Sequence, residues 1–175
     1  MTARTSLTGT VISDSYKQVL HVSDTDGVTT TSTQFYDGNG TAIPLYTTTT
    51  GIGIRRLYEL VTDDTVLTAA DSGKVFAIAT DAKTFTLPAT AAGIEYTFVN
   101  TGADGNNIIT ISPNASDGIF GTITLAASVV QMAGTADTDV VNTKLSALKG
   151  DSMTLVGDGV DGWFIKASTG IWASA

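Results

Sequence analysis

Cysteine is absent from the 175 residues, so the chain has neither a disulfide framework nor a thiolate centre. A compact chain of this length hides roughly 70 % of its unfolded surface and needs no covalent or metal staple. Histidine occurs once, at His21, which makes a zinc site improbable. Glutamate is almost missing: Glu59 and Glu95 are the only two, and aspartate supplies the rest of the acid. Aspartate favours turns and caps where glutamate favours helix interiors. Basic residues are few and scattered in a chain of net charge -8, which excludes the basic face that nucleic acid requires. No apolar run approaches a membrane span, and no basic amphipathic stretch suggests a membrane surface. The opening "MTARTSLTGTVIS" lacks the apolar region of a signal peptide, so synthesis in a cytoplasm is expected.

What is present is threonine, glycine and short alternating runs. Asp-Gly or Asn-Gly recurs at Asp26-Gly27, Asp37-Gly38, Asn39-Gly40, Asp104-Gly105, Asp117-Gly118, Asp158-Gly159 and Asp161-Gly162. These dipeptides tolerate positive φ and punctuate strands. Between them Phe76 and Ile78 share a face, as do Phe85 and Leu87, and Ile94, Tyr96 and Phe98. Ile109 with Ile111, Ile123 with Leu125, Met153 with Leu155, and Trp163 with Ile165 and Ala167 continue the period of two. The expected fold is all-β: an antiparallel β-sandwich or jelly-roll-like domain, with a barrel as the alternative. Helix is expected only as short pieces near "RRLYELV" (55–61) and "TKLSALKG" (143–150), the latter capped by Gly150.

Residues 1–55 differ from the rest in being rich in threonine and poor in large apolar side chains. They are expected to form a strand-containing attachment arm, with strands in "SYKQVLHVS" and "AIPLY" and a boundary within "GIGIRR" (51–56); residues 57–175 form the main domain. The arm's candidate contact residues are Tyr16, Val19, Leu20, Phe35, Tyr36, Leu45 and Tyr46.

Candidate chemical sites mostly reduce to turns. "FYDGNGTAIPLYTTTT" (35–50) has Thr48 where a calcium loop counted from Asp37 needs a glutamate, and no lysine where a phosphate loop needs one. It reads as a hairpin turn. "GDSM" (150–153) resembles the nucleophile block of a hydrolase family, but the only base, His21, lies far upstream, so a loop before a strand is expected. Asp63 and Asp64 are neighbours on opposite faces and form a turn, not an acid/base pair. "GDGVDG" (157–162) is the best place for a loop calcium ion, although no cofactor or metal is expected overall. Trp172 either packs back on the domain, sits exposed at a tip or lies in a subunit interface; the interface is the favoured reading.

The stretch from Leu67 to Pro113, with "GDSMTLVGDGVDGWFIKAS" after it, resembles a β-rich module of tailed-bacteriophage virion proteins. The resemblance rests on the turn Asp71 to Lys74, on Leu87-Pro88, on Ala92-Gly93 to Phe98, and on Gly150 to Ile165. Residues 6–54 resemble the leading segment of small head-decoration or fibre proteins. The resemblance implies a non-enzymatic, usually trimeric particle protein on the capsid exterior, whose partner is the major capsid protein. A head- or tail-fibre component binding host glycans through Trp172 and Tyr96 is the alternative. A hydrolase built on Ser152 and His21 is a distant third.

Overall fold

The computed structural model describes residues 21–22, 33–36, 42–48, 51–54 and 56–175. The chain divides into two compact units, Met1–Arg55 and Arg56–Ala175. In the first, β1 (His21–Val22), β2 (Thr33–Tyr36), β3 (Ala42–Thr48) and β4 (Gly51–Ile54) lie in the order β1-β2-β3-β4, each antiparallel to the next. Phe35 and Leu45 are half-buried in this sheet. Tyr36 pairs with Ala42 across the β2–β3 ladder, so residues 37–41 join two antiparallel partners. Those five residues, like Tyr16, Val19 and Leu20, lie outside the described residues.

The second unit begins with β5 (Tyr58–Val61), β6 (Thr65–Val66), β7 (Val75–Ile78), β8 (Lys83–Thr86), β9 (Glu95–Asn100) and β10 (Ile109–Ser112). It continues with β11 (Gly118–Thr124), β12 (Val129–Ala133), β13 (Val140–Asn142), β14 (Ser152–Gly157), β15 (Gly162–Thr169) and β16 (Trp172–Ser174). They build two mixed sheets, β12-β11-β15-β14-β9-β7-β5 and β16-β13-β10-β8-β6. The all-β sandwich stands, but its pairing is not purely antiparallel. From β5 to β10 successive strands alternate between the sheets, so β5, β7 and β9 run parallel in one while β6, β8 and β10 run parallel in the other. The chain winds as a flattened coil, and the crossover that parallel strands require is a strand of the facing sheet instead of a helix. The hairpin β14–β15 then adds antiparallel to β9, and β13 adds antiparallel to β10.

Facing side chains close the sandwich. Phe85 of the smaller sheet meets Phe98 at 5.0 Å and Phe76 at 5.6 Å between ring centroids, both from the larger sheet. Tyr96 and Trp163 lie 5.4 Å apart, and Ile109, Ile111, Ile119, Met153 and Leu155 fill the space around them without exposure. Aromatic pairs at such separations add to the burial of their area.

The expected helices are absent from the places named. Residues 58–61 are strand β5, whose Val61 turns inward while Tyr58 and Leu60 stay exposed. In 143–150 a single turn forms, with the amides of Ser146 and Ala147 donating to Thr143 O, and it goes no further. Gly150 takes φ +99° and returns the chain into β14, so too few residues remain to propagate a helix. The helical segment seen among the described residues is a 3-10 turn, Ala69–Asp71. Ala167 also departs from expectation: the β14–β15 register shifts between Thr154 and Leu155, leaving Lys166 unpaired in a bulge. That extra residue moves Ala167 off the face of Trp163 and leaves it exposed.

Candidate functional site

Polar side chains gather in three places on the larger unit. The first lies where β9 ends and β14 begins. Asn100 donates to Asn142 Oδ1 (3.1 Å), and Asn142 donates to Asp151 Oδ2 (2.8 Å) and to Ile171 O (3.0 Å). Asn107 donates to Asn100 Oδ1 (3.0 Å) and Ile78 O (3.1 Å), while the amides of Gly102 and Leu148 donate to Asn100 and Asp151. All four side chains are buried. Because Asn100 belongs to the larger sheet and Asn142 to the smaller, the network stitches the layers where the chain would otherwise leave loop amides unpaired. Gly170 approaches it so closely that a Cβ there would sit 2.1 Å from the Asp151 carboxyl.

The second place is at the opposite end of the same strands. Asp158 Oδ1 accepts from the amides of Val160 (2.8 Å), Asp161 (3.2 Å) and Gly162 (3.1 Å). These bonds, led by that of Val160, hold the Asp158 carboxyl down at about 2 against the pull of desolvation. Asp161, sharing a hydrogen bond with Asp158, is pushed above its ordinary value by that bond, by desolvation and by the neighbouring charge. Thr90 ties the loop down: its hydroxyl donates to Gly162 O (2.6 Å), and its amide donates to Asp117 Oδ2 (2.7 Å). The oxygen expected to face calcium thus caps its own loop. Among the described residues no group of three or more acidic or histidine side chains is placed to hold a metal ion.

The third lies on the larger sheet's outward face. Glu95 pairs with Arg56 (2.8 Å) and with Lys166, while Lys74 pairs with Glu59 and Asp71 at 2.8 Å each. Hydrogen bonding to Lys166 lowers the Glu95 carboxyl most, burial opposes it, and Arg56 lowers it further. Thr97 and Thr154 share a hydrogen bond across β9 and β14 (3.0 Å). Farther along the sheet, Phe120 and Phe164 stand beside one another at 5.8 Å, and Phe164 is nearly half exposed.

Several sequence-derived candidates are placed by this geometry. Asp63 and Asp64 form a bend, with Asp64 accepting the Thr84 amide. Ser152 opens β14, and its hydroxyl meets that of Thr169 at 3.0 Å. His21 falls in β1 of the other unit. Trp172, favoured as a subunit-interface residue, is instead fully buried in its own domain, where its indole N–H donates to Thr169 O (2.8 Å). A side chain with no accessible surface has no area to offer a second copy. Tyr96 is fully buried too, donating to Thr68 O, and burial foremost pushes its phenol up to about 12. Neither aromatic can serve as a glycan platform. Phe35 and Leu45 are half-buried, and Tyr36 and Tyr46 belong to β2 and β3. The asparagine network was missed by sequence reasoning, since Asn100, Asn107 and Asn142 carry no motif.

No helix of the described residues is long and apolar enough to cross a membrane. No protein-family model matches the chain, and no curated protein matches it.

Proposed function

We propose that the chain is a non-enzymatic structural protein of a tailed-phage virion, decorating the capsid exterior. Residues 1–55 attach to the major capsid protein, and residues 57–175 form the outward knob, assembled as a trimer. The observation that carries this reading is the pairing of two all-β units, one a small four-stranded sheet and one a thick sandwich, in a single chain. It is supported by the way polar groups in the sandwich bond to its own amides and carbonyls, which suits a load-bearing body. Bridging neighbouring capsid subunits at many symmetric positions turns a modest contact into strong attachment.

Co-sedimentation of the full chain with empty capsids of its phage tests this. Binding that vanishes when residues 1–55 are removed is the expected result, and intact protein left in the supernatant overturns it. Exposed Phe164, standing beside half-buried Phe120, favours a second reading, a fibre component that stacks host sugars. In that case Phe164→Ala lowers binding to host cells, and unchanged binding removes the idea.

A further inference from the structure

We propose that β12 is a self-association strand, along which two copies of this chain pair antiparallel about a two-fold axis through Gln131. Among the described residues β12 is an edge of the larger sheet, and one side of its backbone has no strand partner. Such an edge is a template for further pairing unless charge, proline or shortness blocks it. The other edges of the sandwich's two sheets are blunted. β6 has two residues and β16 three, while β5 carries Glu59 with Arg56 just before it. β12 runs for five residues, "VVQMA", with no proline and no charge.

Charge selects the occupant. The chain carries a net -8, so two copies repel wherever carboxylates face each other. From Gly118 to Ala136, however, there is no charged residue at all. A basic partner would be drawn elsewhere on this molecule, whereas a like-charged copy can approach here without opposing carboxylates.

The strand is also complementary to itself. Antiparallel pairing centred on Gln131 sets Val129 against Ala133, Val130 against Met132, and Gln131 against its own copy. Val129 and Val130, respectively 66 % and 40 % exposed, gain apolar neighbours. Val130 pairs with buried Ile123 within the sheet, so covering it extends the existing core. The two glutamine amides can bond to one another. Beyond Ala133 the chain meets the uncharged turn before Val129 of the other copy, which keeps Asp137 from facing an acid. An isologous contact closes after two copies, so it makes pairs and not fibres. It is distinct from the three-fold assembly proposed above and does not depend on it.

The cysteine-free chain offers a direct test. Full-length Gln131→Cys, treated with a short thiol-to-thiol cross-linker, is expected to give a single covalent dimer, about tenfold faster than Val66→Cys, whose residue is 75 % exposed on β6. Gln131→Asp is expected to abolish the pairing seen by sedimentation, and mixing it with Gln131→Lys to restore it. Because Gln131 is exposed, each variant should melt like the parent when all are dilute enough to be unpaired, and Gln131→Asp should melt below it only at concentrations where the parent pairs. Equal cross-linking of both cysteine variants overturns the proposal. So does a Gln131→Asp protein that sediments like the parent.

Discussion

The small sheet of residues 21–54 and the sandwich of residues 56–175 solve strand pairing in opposite ways. In the small sheet each strand pairs with the next in sequence, β1 to β2 to β3 to β4. In the sandwich β5 pairs with β7, β8 with β10 and β11 with β15, so most neighbours are reached only after a strand in the facing layer. A meander is held by local turns and ladders. A coil is held by what lies between its layers, because no single hairpin fixes its register. Stability in the sandwich should therefore reside in buried side chains that touch both sheets.

Removing the largest fully buried side chain is the most severe way to challenge that contrast. Trp163→Ala is expected to cost about 3–5 kcal/mol and to lower the thermal unfolding midpoint of the sandwich sharply. A midpoint within a degree or two of the parent would show that the layers are held otherwise. Next in size is Asn142→Ala, which leaves the buried Asn100 amide N–H without its acceptor and Asp151 without one of its donors, and should cost about 1–3 kcal/mol in denaturant unfolding. Leu45→Ala, at a half-buried site in β3, is expected to cost about 1 kcal/mol or less and to leave the sandwich transition where it was. A shift of that transition would deny the two units their independence.

The smallest effect is electrostatic. The Glu95 carboxyl is lowered, so its contribution is present above the unfolded-state pKa and fades as pH falls through the folded one. Its basic partners are more than half exposed, which limits the effect to about 0.2–1 kcal/mol. Glu95→Gln should thus lower stability slightly at neutral pH and converge with the parent in acid, as followed by urea unfolding at a series of pH values. Divergence in acid would reverse the sign of the assignment.

The contrast also explains what could be read from the sequence. Alternation located the strands: Phe76 and Ile78, Ile109 and Ile111, and Met153 and Leu155 all face the core as their spacing requires. Asp-Gly located turns where the glycine does adopt positive φ, as at Gly159 (+76°). At Gly118 and Gly162 the same dipeptide means something else. These glycines face each other in the parallel β11–β15 ladder, where a Cβ on Gly162 would come 2.1 Å from Gly118 O. Parallel pairing was not legible because period-two alternation says which face a residue takes and nothing about strand direction. Trp172 was misread for a related reason, since a short strand after a Gly170 turn looks peripheral until β13 is seen beside it. The Lys166 bulge and the buried asparagines left no local signal.

One feature of the larger sheet bears on how the protein is made. Its central strand, β14, and the adjoining β15 are the last two of its seven strands to appear in the sequence. A ribosome therefore delivers both flanks of the sheet before the middle exists to join them. The meander can form while synthesis continues, but the sandwich must wait for residues 152–169, and pairing so distant in sequence is slow. Nascent chains halted at residue 150 are expected to be cut readily by protease throughout 56–150, whereas released full-length chains resist. Protection in the halted chain would mean that the coil from β5 to β10 stands without its keystone.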